Sequence, residues 1–165
     1  MATATTQGTA TIELQGDREI LVTREFNAPK HLVYRTITEP ELVKRWWNAK
    51  RGEVTVCDID LRVGGAWRYV MVTSDGTEVG FHGTFTEIVP EERVGQTELY
   101  EMPGLTEDDA NVNTCTLTEH EGRTTMRVVV RAASPESRDM QLASGMEAGM
   151  QDAYDLLEET AVSLA

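Results

Sequence analysis

Cysteine is nearly missing from this chain: two in 165 residues, Cys57 and Cys115. Neither sits in a C-x-x-C pair or at a metal-ligand spacing. That excludes a disulfide-stapled scaffold and predicts two buried free thiols in a reducing compartment. No apolar run approaches the ~20 residues of a membrane span. The start, Met1-Ala-Thr-Ala-Thr-Thr-Gln-Gly, has neither the basic nor the apolar segment of a signal peptide, so a cytoplasmic protein is expected. Basic residues are scarce, 15 against 28 acidic ones, and the formal charge is −13. Such a surface repels phosphate backbones and anionic lipid, which argues against nucleic-acid and membrane partners. The one basic cluster is Lys44, Arg45, Lys50 and Arg51. It fits a solvated helix C-terminus, or a docking point for an acidic partner or an anionic ligand.

Recognisable catalytic patterns are also missing. The sequence has no G-x-S-x-G, no P-loop and no G-x-G-x-x-G. The three histidines, His31, His82 and His120, fall on a helix start, a strand and a turn, with no metal-ligand spacing among them. No catalytic residue, metal or cofactor is therefore expected. There is no internal repeat, and the length fits one domain with a core of ordinary size. Residues 1–8 are small and polar and are expected to form a disordered tail. Residues 9–165 form the expected domain.

Thr9 to Phe26 reads as extended, with Gly16-Asp17 as a break. Asn27-Ala28-Pro29 opens a short helix, with Asn27 as its N-cap. Thr38 and Glu41 have the spacing of a capping box before a second short helix, whose apolar side is Leu42, Val43, Trp46 and Trp47. From Glu53 to Ala132 the pattern is β throughout. Ser134-Pro135 then opens the longest helix, where Met146, Met150, Ala153, Leu157, Ala161 and Leu164 form an apolar stripe. Gly145 and Gly149, four apart, imply close approach or free space beside that helix.

The chain has only ten aromatic residues, and they are concentrated. Trp67, Tyr69 and Met71 alternate on one strand, and Phe81, Gly83 and Phe85 on the next, across the Ser74-Asp75-Gly76 turn. Pairing Trp67 with Phe85, Tyr69 with Gly83 and Met71 with Phe81 gives one aromatic face with a glycine notch. His82 and Arg68 then point to the other face, where a charge partner across the sheet is expected for Arg68. Glu98 and Glu101 lie on opposite faces of a further strand, so one of them either reaches the rim and water, the reading favoured from the sequence, or enters the cavity. An acid there would have a raised pKa.

The runs Arg24-Glu25-Phe26-Asn27-Ala28-Pro29, Glu39-Pro40-Glu41-Leu42-Val43-Lys44-Arg45-Trp46-Trp47, Val63-Gly64-Gly65-Ala66-Trp67-Arg68 and Ser144-Gly145-Met146-Glu147 resemble the bacterial relatives of the activator of heat-shock protein 90 ATPase. These are members of the START-like (SRPBCC, birch-pollen-allergen-like) helix-grip superfamily. The resemblance runs from about Glu19 to Leu164. It implies an α+β helix-grip fold: a curved antiparallel sheet of about six to seven strands wrapped around a long C-terminal helix, with two short helices after the first strand. It also implies a hydrophobic cavity between sheet and helix. The function expected is binding of a small hydrophobic or aromatic ligand there, in a monomer or homodimer. Trp67, Tyr69, Met71, Phe81, Phe85, Met126, Met146, Gly149 and Met150 are the expected lining. The alternatives are a co-chaperone that binds a chaperone protein, and a cyclase- or dehydratase-like enzyme using a cavity Tyr, Glu or His.

Overall fold

A computed structural model describes residues 10–165; the expected tail at 1–8 lies outside the described residues. Eight strands form one antiparallel sheet: β1 (Thr11–Gln15), β2 (Glu19–Phe26), β3 (Gly52–Ile59), β4 (Ala66–Thr73), β5 (Glu78–Val89), β6 (Arg93–Tyr100), β7 (Asn111–His120) and β8 (Arg123–Arg131). Their spatial order is β1-β2-β8-β7-β6-β5-β4-β3. Two short helices, α1 (Lys30–Thr38) and α2 (Pro40–Val43), follow β2, and α3 (Pro135–Ala143) and α4 (Met146–Ser163) end the chain. This is the α+β helix-grip architecture, with eight strands rather than six or seven. The extra strand comes from the first extended stretch, which folds back on itself at Gly16, where φ is +58°. The helix pair accordingly follows the second strand, not the first.

Three local expectations are corrected. Asn27 does not cap α1: Pro29 is the cap, and the Asn27 N–H donates to Glu158 Oε2 at 2.8 Å. The Thr38–Glu41 capping box does not form, because the Thr38 hydroxyl donates instead to the Tyr34 carbonyl at 2.7 Å. The C-terminal helix is two helices. Ser134 caps α3 as expected, its hydroxyl accepting the Ser137 N–H at 3.0 Å, but Gly145 at φ +84° breaks the chain before α4. That backbone conformation costs glycine least.

The β4–β5 register also differs. Trp67 pairs with Gly83, Tyr69 with Phe81 and Met71 with Val79. The loop closes between Thr73 and Thr77, whose backbone N–H···O distance is 2.9 Å, with the Thr73 hydroxyl bonded to Asp75. A slip of two residues moves every pair but keeps each side chain on its face. Glycine is needed at 83 because a Cβ there would fall on the Thr97 carbonyl oxygen and crowd Trp67 Nε1.

The core lies on the concave face, in three clusters. Phe26, Val33, Leu117, Met126, Leu157 and Ala161 join β2, β7 and β8 to α1 and the C-terminal half of α4. Val43, Trp67, Tyr69, Phe85 and Val94 join β4–β6 to α2. Ala10, Ile20 and Val22 meet Leu142, Met146 and Met150. Arg24, fully buried, binds β2 to α4: it donates to Asp155 Oδ1 at 3.1 Å and to Glu158 Oε1 at 2.9 Å, and lies 4.9 Å from the Phe26 ring centre.

Candidate functional site

The nine residues expected to line a cavity do not form one surface. Trp67, Tyr69, Phe81 and Phe85 pack under the turn after α2, with Val43, Trp46 and Trp47. Trp47 stands edge-on to Tyr69 (5.5 Å between ring centres) and to Phe81 (6.0 Å). The aromatic hairpin therefore faces the two tryptophans rather than the methionine stripe of α4, a correction to the expected juxtaposition. Met126 belongs to the cluster around Leu157. Met146 and Met150 pack with Ile20, Val22, Val128 and Val130. Met71, half-buried, joins none of the three clusters. A Cβ on Gly149 would meet nothing within 4 Å, so the helix stands beside open space there.

Between these groups lies a polar constellation. Glu98 on β6 pairs across the ladder with Asn111 on β7. Strand alternation puts Asn113, Cys115 and Leu117 on that same concave face. Glu98 Oε1 accepts from Asn111 Nδ2 at 3.3 Å and from Asn113 Nδ2 at 3.2 Å. Asn111 also exchanges two 2.9 Å bonds with Gln141 of α3, amide to amide. Glu98 is the acid that enters the interior, and burial pushes its carboxyl above the usual carboxylate range, against the pull of the two amides. Its charge reaches the phenols on both sides, Tyr69 on β4 and Tyr154 on α4, which burial also pushes well up. Cys115, on the same face, is pushed up to about 12 by burial. A thiol held this far from ionisation is a packing group, not a nucleophile. Cys57 is pushed up to about 11 for the same reason.

Among the described residues, the Asn113 Oδ1 atom is buried without a hydrogen-bond partner. Sequence reasoning weighed Glu98 because period-two alternation divides it from Glu101. It missed Asn111, Asn113 and Gln141. The only signal was a pair of asparagines two apart on a strand.

On the convex face Arg68 donates to both Glu101 oxygens at 2.8 Å, and His82 Nδ1 lies 2.8 Å from Glu101 Oε2. Arg68 thus finds the expected charge partner, and Glu101 is held near 2 chiefly by that guanidinium. The basic cluster is partly committed: Lys44 pairs with Glu41 at 3.2 Å and Arg51 with Asp152 at 2.9 Å. Among the described residues, no group of three His, Cys, Asp or Glu side chains is placed to hold a metal ion. Among the described residues, no helix is long and apolar enough to cross a membrane.

The family model for Activator of Hsp90 ATPase homolog 1-like protein matches residues 27–161. The chain belongs to this family. The family is part of the START-like (SRPBCC) helix-grip superfamily, a scaffold that commonly binds hydrophobic ligands. Similar solved structures include a protein from Rhodobacter sphaeroides, 27% identical with a TM-score of 0.85, covering 94% of this chain and 99% of that one. Another, from Nitrosomonas europaea, is 25% identical with a TM-score of 0.80, over 92% of this chain and 98% of that one. A third, from Mycobacterium smegmatis, shares the fold at 24% identity and a TM-score of 0.80, over 91% and 95%. A search of curated proteins finds no match.

Proposed function

We propose that this family member binds a small hydrophobic or aromatic molecule between the concave face of the sheet and α4. The observation that carries the reading is the open space at Gly149, beside Met146 and Met150 on α4, next to a half-buried polar group built around Glu98 that α3 meets through Gln141 and α4 approaches through Tyr154. Flexible, polarizable methionines suit an adaptable apolar wall. A few convergent polar groups in an apolar recess are the usual composition of a small-molecule site.

The test is titration with N-phenyl-1-naphthylamine, a neutral apolar dye that fluoresces when it leaves water. Saturable binding at one site per chain is expected. Gly149→Trp should weaken it by roughly tenfold or more, about 1.4 kcal/mol or above, with the far-ultraviolet circular dichroism spectrum unchanged. Equal binding by the variant would remove the site from beside α4. The same titration with a folded Trp67→Leu variant asks whether the aromatic hairpin contributes. It should bind nearly as well, because Trp67 packs under α2.

A further inference from the structure

The groups around Glu98 read as a specificity element, an inference that rests on the binding site proposed above. Glu98 Oε1 is occupied by two amide donors, and among the described residues Glu98 Oε2 makes no hydrogen bond. The Nδ2 of Asn113 is used on Glu98, so its Oδ1 is the atom left over, buried and unpartnered. Asn111 and Gln141 form a reciprocal amide pair, and the Glu98 acceptor orients both so that the Asn111 nitrogen faces Glu98. The hydroxyls of Tyr69 and Tyr154 make no hydrogen bond among the described residues, and both rings lie close enough to Glu98 for its charge to reach them. Among the described residues, the spare capacity at this end is thus two carboxyl- or amide-type oxygens and two phenols; Arg138, one turn before Gln141 on α3, donates instead to the Gly16 and Glu19 carbonyls, with its Nε buried and without a hydrogen-bond partner. Arg24, whose charge reaches Tyr154, is already committed to Asp155 and Glu158.

An orphaned buried acceptor is costly until something donates to it. A carboxylate end brings only acceptors. Beside an ionised Glu98 it would set a second negative charge where little water remains to screen it, and beside a protonated one it would still bring no donor for Asn113 Oδ1. We infer that the site selects apolar molecules whose polar end is uncharged and donates a hydrogen bond, such as a primary amide or an alcohol, and rejects the corresponding carboxylates. The donor serves Asn113 Oδ1 and Glu98 Oε2, and the phenols complete the polar end from either side. The apolar body lies toward Met146 and Met150.

Decanamide and decanoate differ little in size and shape and test this directly. Each competes with N-phenyl-1-naphthylamine for the wild-type protein near neutral pH, where decanoate is ionised. Decanamide should displace the dye at a concentration at least roughly tenfold lower. Glu98→Gln should shrink that ratio severalfold, mainly by letting decanoate in. Asn113→Leu, which removes the orphan oxygen without touching the charge, should weaken decanamide and leave decanoate nearly unchanged. Equal displacement by both compounds, or a preference for decanoate, overturns the selectivity while leaving the binding site standing. Absence of dye binding to the wild type overturns both. Because the wild-type comparison needs no variant, a misfolded Glu98→Gln protein does not rescue the inference.

Discussion

The strands β7 and β8 meet α4 at two places along their length, and the two places are built differently. At one, Leu117 lies across from Met126, and Leu157 and Ala161 of α4 close over them with Phe26 and Val33. Every one of these side chains is almost wholly buried. Four residues along, Asn113 lies across from Val130, Asn111 reaches up to Gln141, and Glu98 comes in from β6. There the apolar side chains of α4 are Met146 and Met150, both only partly buried, with Gly149 between them. The same two strands and one helix thus make a dry, filled end and a polar end with space beside it. A protein that needed only to fold would have no use for the second, since a buried acid and an unpartnered amide oxygen both cost stability. The filled end supports the fold, and the polar end carries liabilities that the binding site proposed above would account for.

The largest test of that division is truncation at the filled end. Leu157 is completely buried, so Leu157→Ala should cost about 3–5 kcal/mol through lost burial and the cavity left behind. For a chain this size the melting temperature should fall on the order of 10 °C. Val130→Ala, on the same face at the polar end, should cost only about 1 kcal/mol because Val130 is already partly accessible. Equal losses in thermal denaturation would mean that the two ends are packed alike.

A similar loss is expected from Arg24, which ties β2 to α4 between the two ends. The Asp155→Asn, Glu158→Gln double variant leaves a fully buried guanidinium without its counter-charges. Removing the charge from one side of a buried pair typically costs about 3–5 kcal/mol. Asp155 is half exposed, which places the expected loss toward the lower figure. Replacing all three with neutral apolar residues should recover much of it in urea denaturation.

How far these ends were legible in the sequence follows from the reach of each signal. The periods of 2 and 3.6 are local, so the strands, the stripe Met146–Leu164 and the opposite facing of Glu98 and Glu101 were all readable. The pairing of Trp67 with Gly83 depends on where one loop closes, and it closes between Thr73 and Thr77. The covering of the aromatic hairpin by Trp47 rather than α4 depends on the path of the chain after α2, for which no period exists. The constellation Glu98–Asn111–Asn113–Gln141 draws on β6, β7 and α3, and arises only once the register of β6 on β7 and the break at Gly145 are both set. Gly145, four residues before Gly149, reads in the sequence as a helix-face residue, and its left-handed backbone shows only in the fold.

Glu98 and Glu101 carry the contrast into pH dependence, with opposite signs. Glu101 is held near 2, below its ordinary 4.5, chiefly by Arg68. It contributes stability above pH 4.5 that is lost as pH falls through about 2. Arg68→Ala should lower the melting temperature at neutral pH, and the deficit should shrink across that window. Glu98 is raised by burial. The native state then binds its proton more tightly than the unfolded chain does, so ionised Glu98 is a penalty above its raised value, relieved as pH falls toward the ordinary 4.5. Glu98→Gln should therefore melt higher than the wild type at neutral to alkaline pH, with the gain vanishing near the ordinary value. Melting curves across pH check both. A Glu98→Gln protein that melted lower at every pH would make the carboxylate a structural tie instead of a liability kept for a ligand.

The smallest expected effect is also the most specific to the polar end. Gly149 lies in the first turns of α4 with helical backbone and nothing within 4 Å of where a Cβ would stand. Alanine there meets no obstacle and restricts the unfolded chain, so Gly149→Ala should stabilise by about 0.5–1 kcal/mol, or roughly 2–4 °C in melting temperature. Gly83 is the control on the crowded side of the sheet, where the same methyl would strike the Thr97 carbonyl. Gly83→Ala should instead destabilise, by about 1–3 kcal/mol. If Gly149→Ala stabilises the free protein yet weakens N-phenyl-1-naphthylamine binding, the missing methyl group is space reserved for a ligand. If it stabilises and leaves binding untouched, the glycine is a simple weakness in the helix, and the space beside α4 is not where the dye sits.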